Sequence, residues 1–156
     1  MSDRPSLQET YAPKGMCFGC GPANAQGLRI RSIATADDAA ECHWTPAPHH
    51  QAFEGMLNGG ICGALLDCHS NWTAAWHLMR TRGLDAPPCT VTAEFAVKLK
   101  RPTPMDGGVT LHAKVVGVDG DKVTVDAELT AGGKVTATCH GIFVAVKEGH
   151  PAFHRW

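Results

Sequence analysis

The sequence predicts an α+β fold in which an antiparallel β-sheet wraps around one long central helix, with the elements in the order β-β-α-β-β-β-β. Three observations support this prediction. A charge-poor stretch from Gly59 to about Met79 has apolar residues at helical spacing. Four strand-like runs follow it, joined by short turns rich in Gly and Asp, which imply antiparallel neighbours. Two shorter strand-like runs precede it.

The chain before the helix divides into an arm, two strands and a loop. Residues 1–16 are polar and contain Pro5 and Pro13, so we expect an extended N-terminal arm. Residues 28–33 alternate between apolar and polar side chains, and residues 40–44 form a second short run of this kind, so both are predicted strands. Pro46 and Pro48 end the second strand, and a loop over residues 49–55 leads to the helix.

After the helix, basic residues and Gly83 mark its C-terminus. Strands are predicted over residues 89–99, 109–118, 122–130 and 134–146. The last residues, 148–156, show no periodicity and are assigned to a C-terminal tail.

The composition limits the classes of function. A chain of 156 residues is expected to form one domain with a proper core. The formal net charge of −1 argues against nucleic acid as the main partner. No apolar run reaches the ~18 residues of a membrane span, and the N-terminus lacks the apolar core of a signal peptide. Seven cysteines, an odd number, then indicate reduced thiols and a cytoplasmic protein.

The helix carries a single formally charged residue between Gly59 and Leu78, which is Asp67. A long helix this poor in charge is expected to be buried on most sides, and a carboxylate within it is costly unless something binds it or uses it. Asp67 is therefore a candidate catalytic acid. The alternative is a structural carboxylate held by an ion pair or a capping interaction.

The start of the helix is the second candidate feature. Asn58 is a good N-cap residue, but Gly59 and Gly60 are poor helix formers. Bare N–H groups at a helix N-terminus suit a developing oxyanion, so one of the two glycines is a candidate donor. Two alternatives are a simple Asn-Gly turn and glycines that only permit close packing.

The spacing of these candidates predicts a dimer. Gly59 and Asp67 are eight residues apart, which is about 12 Å along a helix at ~1.5 Å per residue. One reacting carbonyl has to lie within roughly 3 Å of both groups. If both are catalytic, they come from two copies of the helix, and the active site is shared across a two-fold dimer.

From Cys17 to Val146 the sequence resembles the hotdog-fold acyl-CoA thioesterases of the phenylacetate-pathway and human thioesterase-superfamily type. Their helix opens with His-Gly-Gly and carries an Asp eight residues after the first Gly, which here correspond to Asn58-Gly59-Gly60 and Asp67. Further matching segments are residues 50–55 before the helix, residues 92–102 after it, and the opening Cys17-Phe18-Gly19-Cys20-Gly21 with Gly27-Leu28.

The resemblance implies a hotdog thioesterase domain over residues 17–147, assembled as a homodimer or as a tetramer that is a dimer of dimers. It implies that the Gly59 N–H polarises the thioester carbonyl and that Asp67 of the other subunit acts as general base or nucleophile. Thr92 falls where related enzymes hold the attacking water. The substrate would be an acyl-CoA, with coenzyme A as part of the substrate and no separate cofactor.

Two departures from the family pattern leave an alternative open. The His before Gly-Gly is Asn58, which can cap the helix and orient a carbonyl but cannot titrate near neutral pH. Cys68 follows Asp67 where a Glu is common, and it is expected to face a different environment. The alternative is a non-catalytic hotdog protein that binds an acyl-CoA or a small acid. A hotdog dehydratase ranks last, because its paired His and acid motif is absent.

Several residues are candidates for substrate binding. Lys98, Lys100 and Arg101 form the densest basic cluster, which would suit the phosphates of coenzyme A if it lies beside the active site. His50 either contacts the substrate or fills the pocket wall. Thr92 is also an ordinary strand residue, since β-branched side chains favour strands.

The pair Cys17 and Cys20 has the C-x-x-C spacing of a zinc site. A structural zinc site commonly has a second such pair, and none is present. No βαβ pattern surrounds the motif, which argues against a thioredoxin-like role. The sequence therefore predicts no metal.

Overall fold

The long helix α2, Gly59–Arg82, packs against a six-stranded antiparallel sheet in the computed structural model, which describes residues 3–156. The other elements are α1 (Leu7–Tyr11), β1 (Ile33–Ala36), β2 (Ala39–Trp44), a 3₁₀ helix (Pro48–His50), β3 (Gln51–Phe53), β4 (Met56–Leu57), β5 (Thr90–Leu99), β6 (Val109–Asp119), β7 (Lys122–Ala131) and β8 (Lys134–Ala145). The strand order is β1-β2-β6-β7-β8-β5, and β3 and β4 form a separate hairpin. This is the hotdog fold.

The last four strands confirm the predicted antiparallel arrangement, with ends that shift by one residue at most. Gly120 and Gly132 adopt positive φ values of 59° and 58° in the tight turns before β7 and β8. Only glycine adopts this conformation without strain, so these turns can join neighbouring strands directly.

The core lies between α2 and the sheet. Inward residues of β6 and β7 are buried and alternate with more exposed neighbours, as period-2 patterning requires. Leu65, Leu66 and Trp72 of α2 belong to the same hydrophobic cluster. Within residues 3–156, no helix is long and apolar enough to cross a lipid bilayer.

The prediction of a first strand over residues 28–33 is wrong for most of its length, because β1 begins only at Ile33. Leu28 and Ile30 are buried, which explains the alternating pattern. Their N–H groups donate to the carbonyls of Phe18 and Gly19, and Arg29 has a positive φ of 49°. The segment is therefore tied to the turn around Cys17–Cys20 and not to a strand.

The predicted arm over residues 1–16 is partly helical, although Met1 and Ser2 lie outside the described residues. Ser6 and Glu9 form a reciprocal capping box that starts α1, so the expectation of an extended arm is wrong here. The buried Gln8 side chain bonds to Ser32, whose hydroxyl contacts the buried ring of His69 in α2. This polar chain attaches the arm to the domain.

Three smaller differences concern the helix and its surroundings. The helix runs to Arg82, three residues beyond the predicted Met79, and ends at a left-handed Gly83. The loop over residues 49–55 contains the 3₁₀ helix and the β3–β4 hairpin. In the tail, the Trp156 ring stacks on Trp72 at a centroid distance of 4.5 Å.

Replacing Leu66 by Ala is expected to lower the free energy of unfolding by about 2–5 kcal/mol, because the side chain is fully buried and its removal leaves a cavity. Leu84→Ala is the matched control, since Leu84 is 44% exposed just after α2; its effect should stay within about 0.5 kcal/mol. Urea unfolding measures both. Equal losses for the two variants would contradict the assigned core.

Candidate active site

Asp67 lies in the middle of α2 and faces β5. Its Oδ1 accepts a hydrogen bond of 2.5 Å from the hydroxyl of Thr92. Burial raises the pKa of Asp67, and the Thr92 hydrogen bond opposes this shift. A carboxylate whose pKa is raised by desolvation is a stronger base than an exposed one. The two residues that the sequence nominated separately are thus in direct contact.

The N-terminus of α2 begins at Asn58, whose side-chain oxygen accepts from the N–H of Ile61. The Asn58 backbone N–H donates to the carbonyl of His50, which ties the 3₁₀ helix to the helix start. Gly59 is the first helical residue, and the first N–H groups of a helix have no intrahelical acceptor. The Gly59 N–H therefore lies in a position to donate to a ligand.

A cleft of about 360 Å³ opens at Gly59. Its walls include Phe53 from the β3–β4 hairpin and Leu99, Lys100 and Arg101 from the end of β5. The N–H groups of Lys100 and Arg101 donate to the Thr136 carbonyl, which fixes the course of the chain there. Two basic side chains are thus brought to the cleft at the helix N-terminus.

The absence of a side chain at Gly59 keeps this cleft open. A Cβ at this position would lie 2.8 Å from Cδ1 of Leu99, which is closer than such atoms pack. Gly60 is exposed, and a Cβ there would lie 3.0 Å from the Asn58 side-chain oxygen. Gly59 is therefore the better placed of the two candidate donors.

Three of the predicted site residues lie outside the Gly59 cleft within one protomer. Lys98 lines a different cleft, beside Asp126 and His140. His50 packs between Trp44 and His49 and accepts from the Ala47 N–H through Nδ1. Burial lowers the pKa of His50, so its ring favours the neutral form. Asp67 is not among the residues that line the Gly59 cleft.

Sequence reasoning missed a chain of small polar groups that begins in the wall of the cleft. The Cys62 thiol donates to Thr103, whose hydroxyl donates to Thr136 over 2.7 Å. Cys62 and Thr103 both line the cleft. Cys62 is three residues after Gly59 and so shares its helix face, which is the signal that could have identified it.

Solved structures with the same architecture include several thioesterases. A thioesterase superfamily protein from Shewanella loihica PV-4 is 27% identical, with a TM-score of 0.66 over 81% of this chain and 98% of that one. A thioesterase from Haemophilus influenzae is 16% identical, with a TM-score of 0.67 over 79% and 84% of the two chains. The PaaI protein of the Escherichia coli phenylacetic acid degradation operon is 17% identical, with a TM-score of 0.67 over 80% and 85%.

A comparison with curated proteins gave no match. The family model of the thioesterase superfamily matches residues 54–138, which is more than half of the chain and includes the helix start, Asp67 and Thr92. The chain belongs to the thioesterase superfamily.

Proposed function

We propose that the protein is an acyl-CoA thioesterase that acts as a homodimer and hydrolyses a thioester to a free acid and coenzyme A. The main support is the half-buried Asp67 carboxylate, hydrogen-bonded to Thr92, on the same helix that presents Gly59 to a cleft with basic walls. Superfamily membership agrees with this chemistry. The proposed hydrolysis uses protein groups and water only.

Asp67 is the proposed general base or nucleophile. Thr92 donates to Oδ1, which leaves Oδ2 as the oxygen that takes a proton from water or attacks the thioester carbon. The Thr92 hydroxyl oxygen keeps lone pairs that can accept a hydrogen bond from the attacking water. Thr92 is thus proposed to orient both the carboxylate and the water.

Gly59 of the partner subunit is the proposed oxyanion donor. Its N–H points out of a helix N-terminus, where partial positive charge favours the negative oxygen of the tetrahedral intermediate. Asn58 would orient the carbonyl beside it. Because Gly59 and Asp67 of one helix are about 12 Å apart at ~1.5 Å per residue, the complete site needs two protomers.

The sheet edge next to the cleft supports the proposed dimer. β5 is an edge strand, and edge strands present unpaired backbone groups to a partner. Phe95 and Leu99 on this strand are 43% and 57% exposed. An interface along β5 would cover these side chains and bring a second subunit to the Gly59 cleft.

Lys100 and Arg101 are the proposed contacts of the coenzyme A phosphates. The double change Lys100→Gln and Arg101→Gln is expected to raise KM for an acyl-CoA by about fivefold, because exposed ion pairs contribute up to ~1 kcal/mol. KM for the matching acyl-N-acetylcysteamine thioester, which lacks phosphates, should stay unchanged. Lys122→Gln, an exposed change at the start of β7, is the control. Equal increases for both substrates would contradict phosphate recognition.

A panel of aliphatic and aromatic acyl-CoAs tests the proposed function, with free thiol release as the measurement and Asp67→Asn as the blank. Hydrolysis of at least one member by the wild type, lost in the variant, is the expected result. The second candidate is a non-catalytic acyl-CoA binder, favoured by Asn58, whose side-chain oxygen already caps the helix and which cannot titrate. Tight binding without turnover would select the binder.

A further inference from the structure

Three cysteine thiols meet at one point beside α2. Cys17, Cys20 and Cys68 place their sulfur atoms within 4.8 Å of one another. Cys20 is buried, and the other two are partly buried. The third thiol belongs to Cys68 of α2, the residue directly after Asp67, so the C-x-x-C pair has a third candidate ligand beside it.

The loop that carries the pair is held in place by its own backbone. Gly21 donates to the Cys17 carbonyl over 2.8 Å, and Leu28 donates to the Phe18 carbonyl over 2.7 Å. A Cβ at Gly19 would overlap the Cys68 sulfur. Glycine at this position therefore allows the turn to close directly over the helix, and the three sulfurs are preorganised.

The sulfur geometry fits a tetrahedral zinc ion. With Zn–S bonds of ~2.3 Å, tetrahedral angles place sulfur atoms about 3.8 Å apart. The Cys17 and Cys68 sulfurs are 3.8 Å apart, and the third lies within the 4.8 Å limit of the group. Soft thiolate ligands select zinc over calcium or magnesium.

The surroundings provide a further ligand position and a balancing charge. A cavity of about 180 Å³ borders Cys17 and Cys20 and also contacts Trp72, Arg155 and Trp156. A zinc ion with three thiolates carries a net charge of −1. The positive charge of the Arg155 guanidinium in the cavity wall balances it. The cavity is large enough to hold a water molecule beside Cys17 and Cys20.

Trp72 is a second, independent observation at this site. It is 1% exposed, and its indole N–H has no hydrogen-bond acceptor among the described residues. A buried donor without a partner is costly. Trp72 lines the same cavity as Cys17 and Cys20. Outer N–H donors to sulfur are typical of metal–thiolate sites, so a metal-bound thiolate in this cavity would give the indole N–H an acceptor.

We propose that Cys17, Cys20 and Cys68 bind one Zn²⁺ per chain, with water in the fourth position. Binding forms three Zn–S bonds, and the protons of the thiols that are not yet ionised pass to the solvent. The ion links the turn of residues 17–20 to α2 beside Asp67. The proposed hydrolysis does not pass through this ion.

Titration of the reduced, chelator-treated full-length protein with Co²⁺, which replaces zinc spectroscopically, tests this site. The expected result is a sulfur-to-cobalt charge-transfer band that saturates at one equivalent and is displaced by Zn²⁺. Cys68→Ala should remove the saturable one-equivalent binding, whereas Cys42→Ala, a buried thiol outside the group, should keep it. In the wild type, zinc should raise Tm by about 10 °C at a free concentration ~1,000 times its Kd.

Circular dichroism of both metal-free variants establishes that they are folded, and Cys17→Ala replaces Cys68→Ala if the latter is not. The proposal is overturned if the reduced wild type shows no charge-transfer band, or if a folded Cys68→Ala or Cys17→Ala variant binds Co²⁺ as the wild type does. Binding of Cu(I) with no binding of Co²⁺ or Zn²⁺ would also overturn it. These readouts do not depend on catalysis, so they remain informative whether or not the protein hydrolyses thioesters.

Discussion

Asp67→Asn is expected to lower kcat for thioester hydrolysis by about 10²–10⁴-fold, the usual contribution of a positioned general base. The amide keeps the size of the side chain and can still accept the Thr92 hydrogen bond through its oxygen. It cannot accept a proton from water or attack the carbonyl carbon efficiently. KM should change little, because the loss concerns the chemical step. Steady-state release of free coenzyme A measures both constants.

Asp126→Asn is the matched control for this change. Asp126 is exposed on β7 and pairs with His140 on the neighbouring strand. The activity of the Asp126→Asn variant should therefore equal that of the wild type. An Asp67→Asn variant that retains wild-type kcat would remove Asp67 from the mechanism and would leave the family assignment untouched.

Gly59→Pro is expected to lower kcat by about 10²–10³-fold, as the loss of one oxyanion donor does. Proline lacks the N–H but is favoured at the first position of a helix. Asn58 already has φ −59° and ψ 132°, which suits a residue that precedes proline. The change therefore removes the proposed donor while the backbone stays compatible. Acyl-CoA turnover and helix content by circular dichroism are the measurements.

Gly59→Ala separates the donor from the steric effect, because both variants place a Cβ near the exposed and movable Leu99 side chain. The alanine variant keeps its N–H and should lose much less activity than the proline variant. Equal losses would contradict an oxyanion role for the N–H.

Mixing the two inactive variants tests whether the site is shared between subunits. Refolded or co-expressed mixtures of Asp67→Asn and Gly59→Pro should recover roughly a quarter of wild-type activity, because half of random dimers are mixed and each mixed dimer holds one intact site. A site within one protomer would give no recovery.

The fold after Gly59 was predictable because period and turn chemistry agree there. Apolar residues recur at helical spacing in α2 and at every second position in the strands that follow. Glycine turns such as those at Gly120 and Gly132 separate these strands. The segment of residues 28–32 has the alternation of a strand, but the N–H groups of Leu28 and Ile30 donate to the turn at Phe18 and Gly19. An alternation of apolar and polar side chains indicates which residues are buried, but it does not indicate which carbonyl groups accept the backbone hydrogen bonds.

The short helix α1 was missed for a different reason. The Ser6 and Glu9 capping box is visible in the sequence, but a five-residue helix has little periodicity of its own. Its burial depends on Ser32 and His69, which lie 24 and more residues away. Local sequence signals alone therefore did not distinguish it from an extended arm.

By itself, the sequence determined the central helix, the antiparallel strands and the two candidate groups at Gly59 and Asp67, because these depend on local period, capping and the cost of a carboxylate in an apolar helix. The tertiary structure decided which side chains meet. It placed Thr92 on Asp67, brought Lys100 and Arg101 but not Lys98 to the Gly59 cleft, and joined Cys68 to Cys17, 51 residues before it, and to Cys20. Such contacts arise from the packing of α2 against distant segments, and spacing along the chain does not encode them.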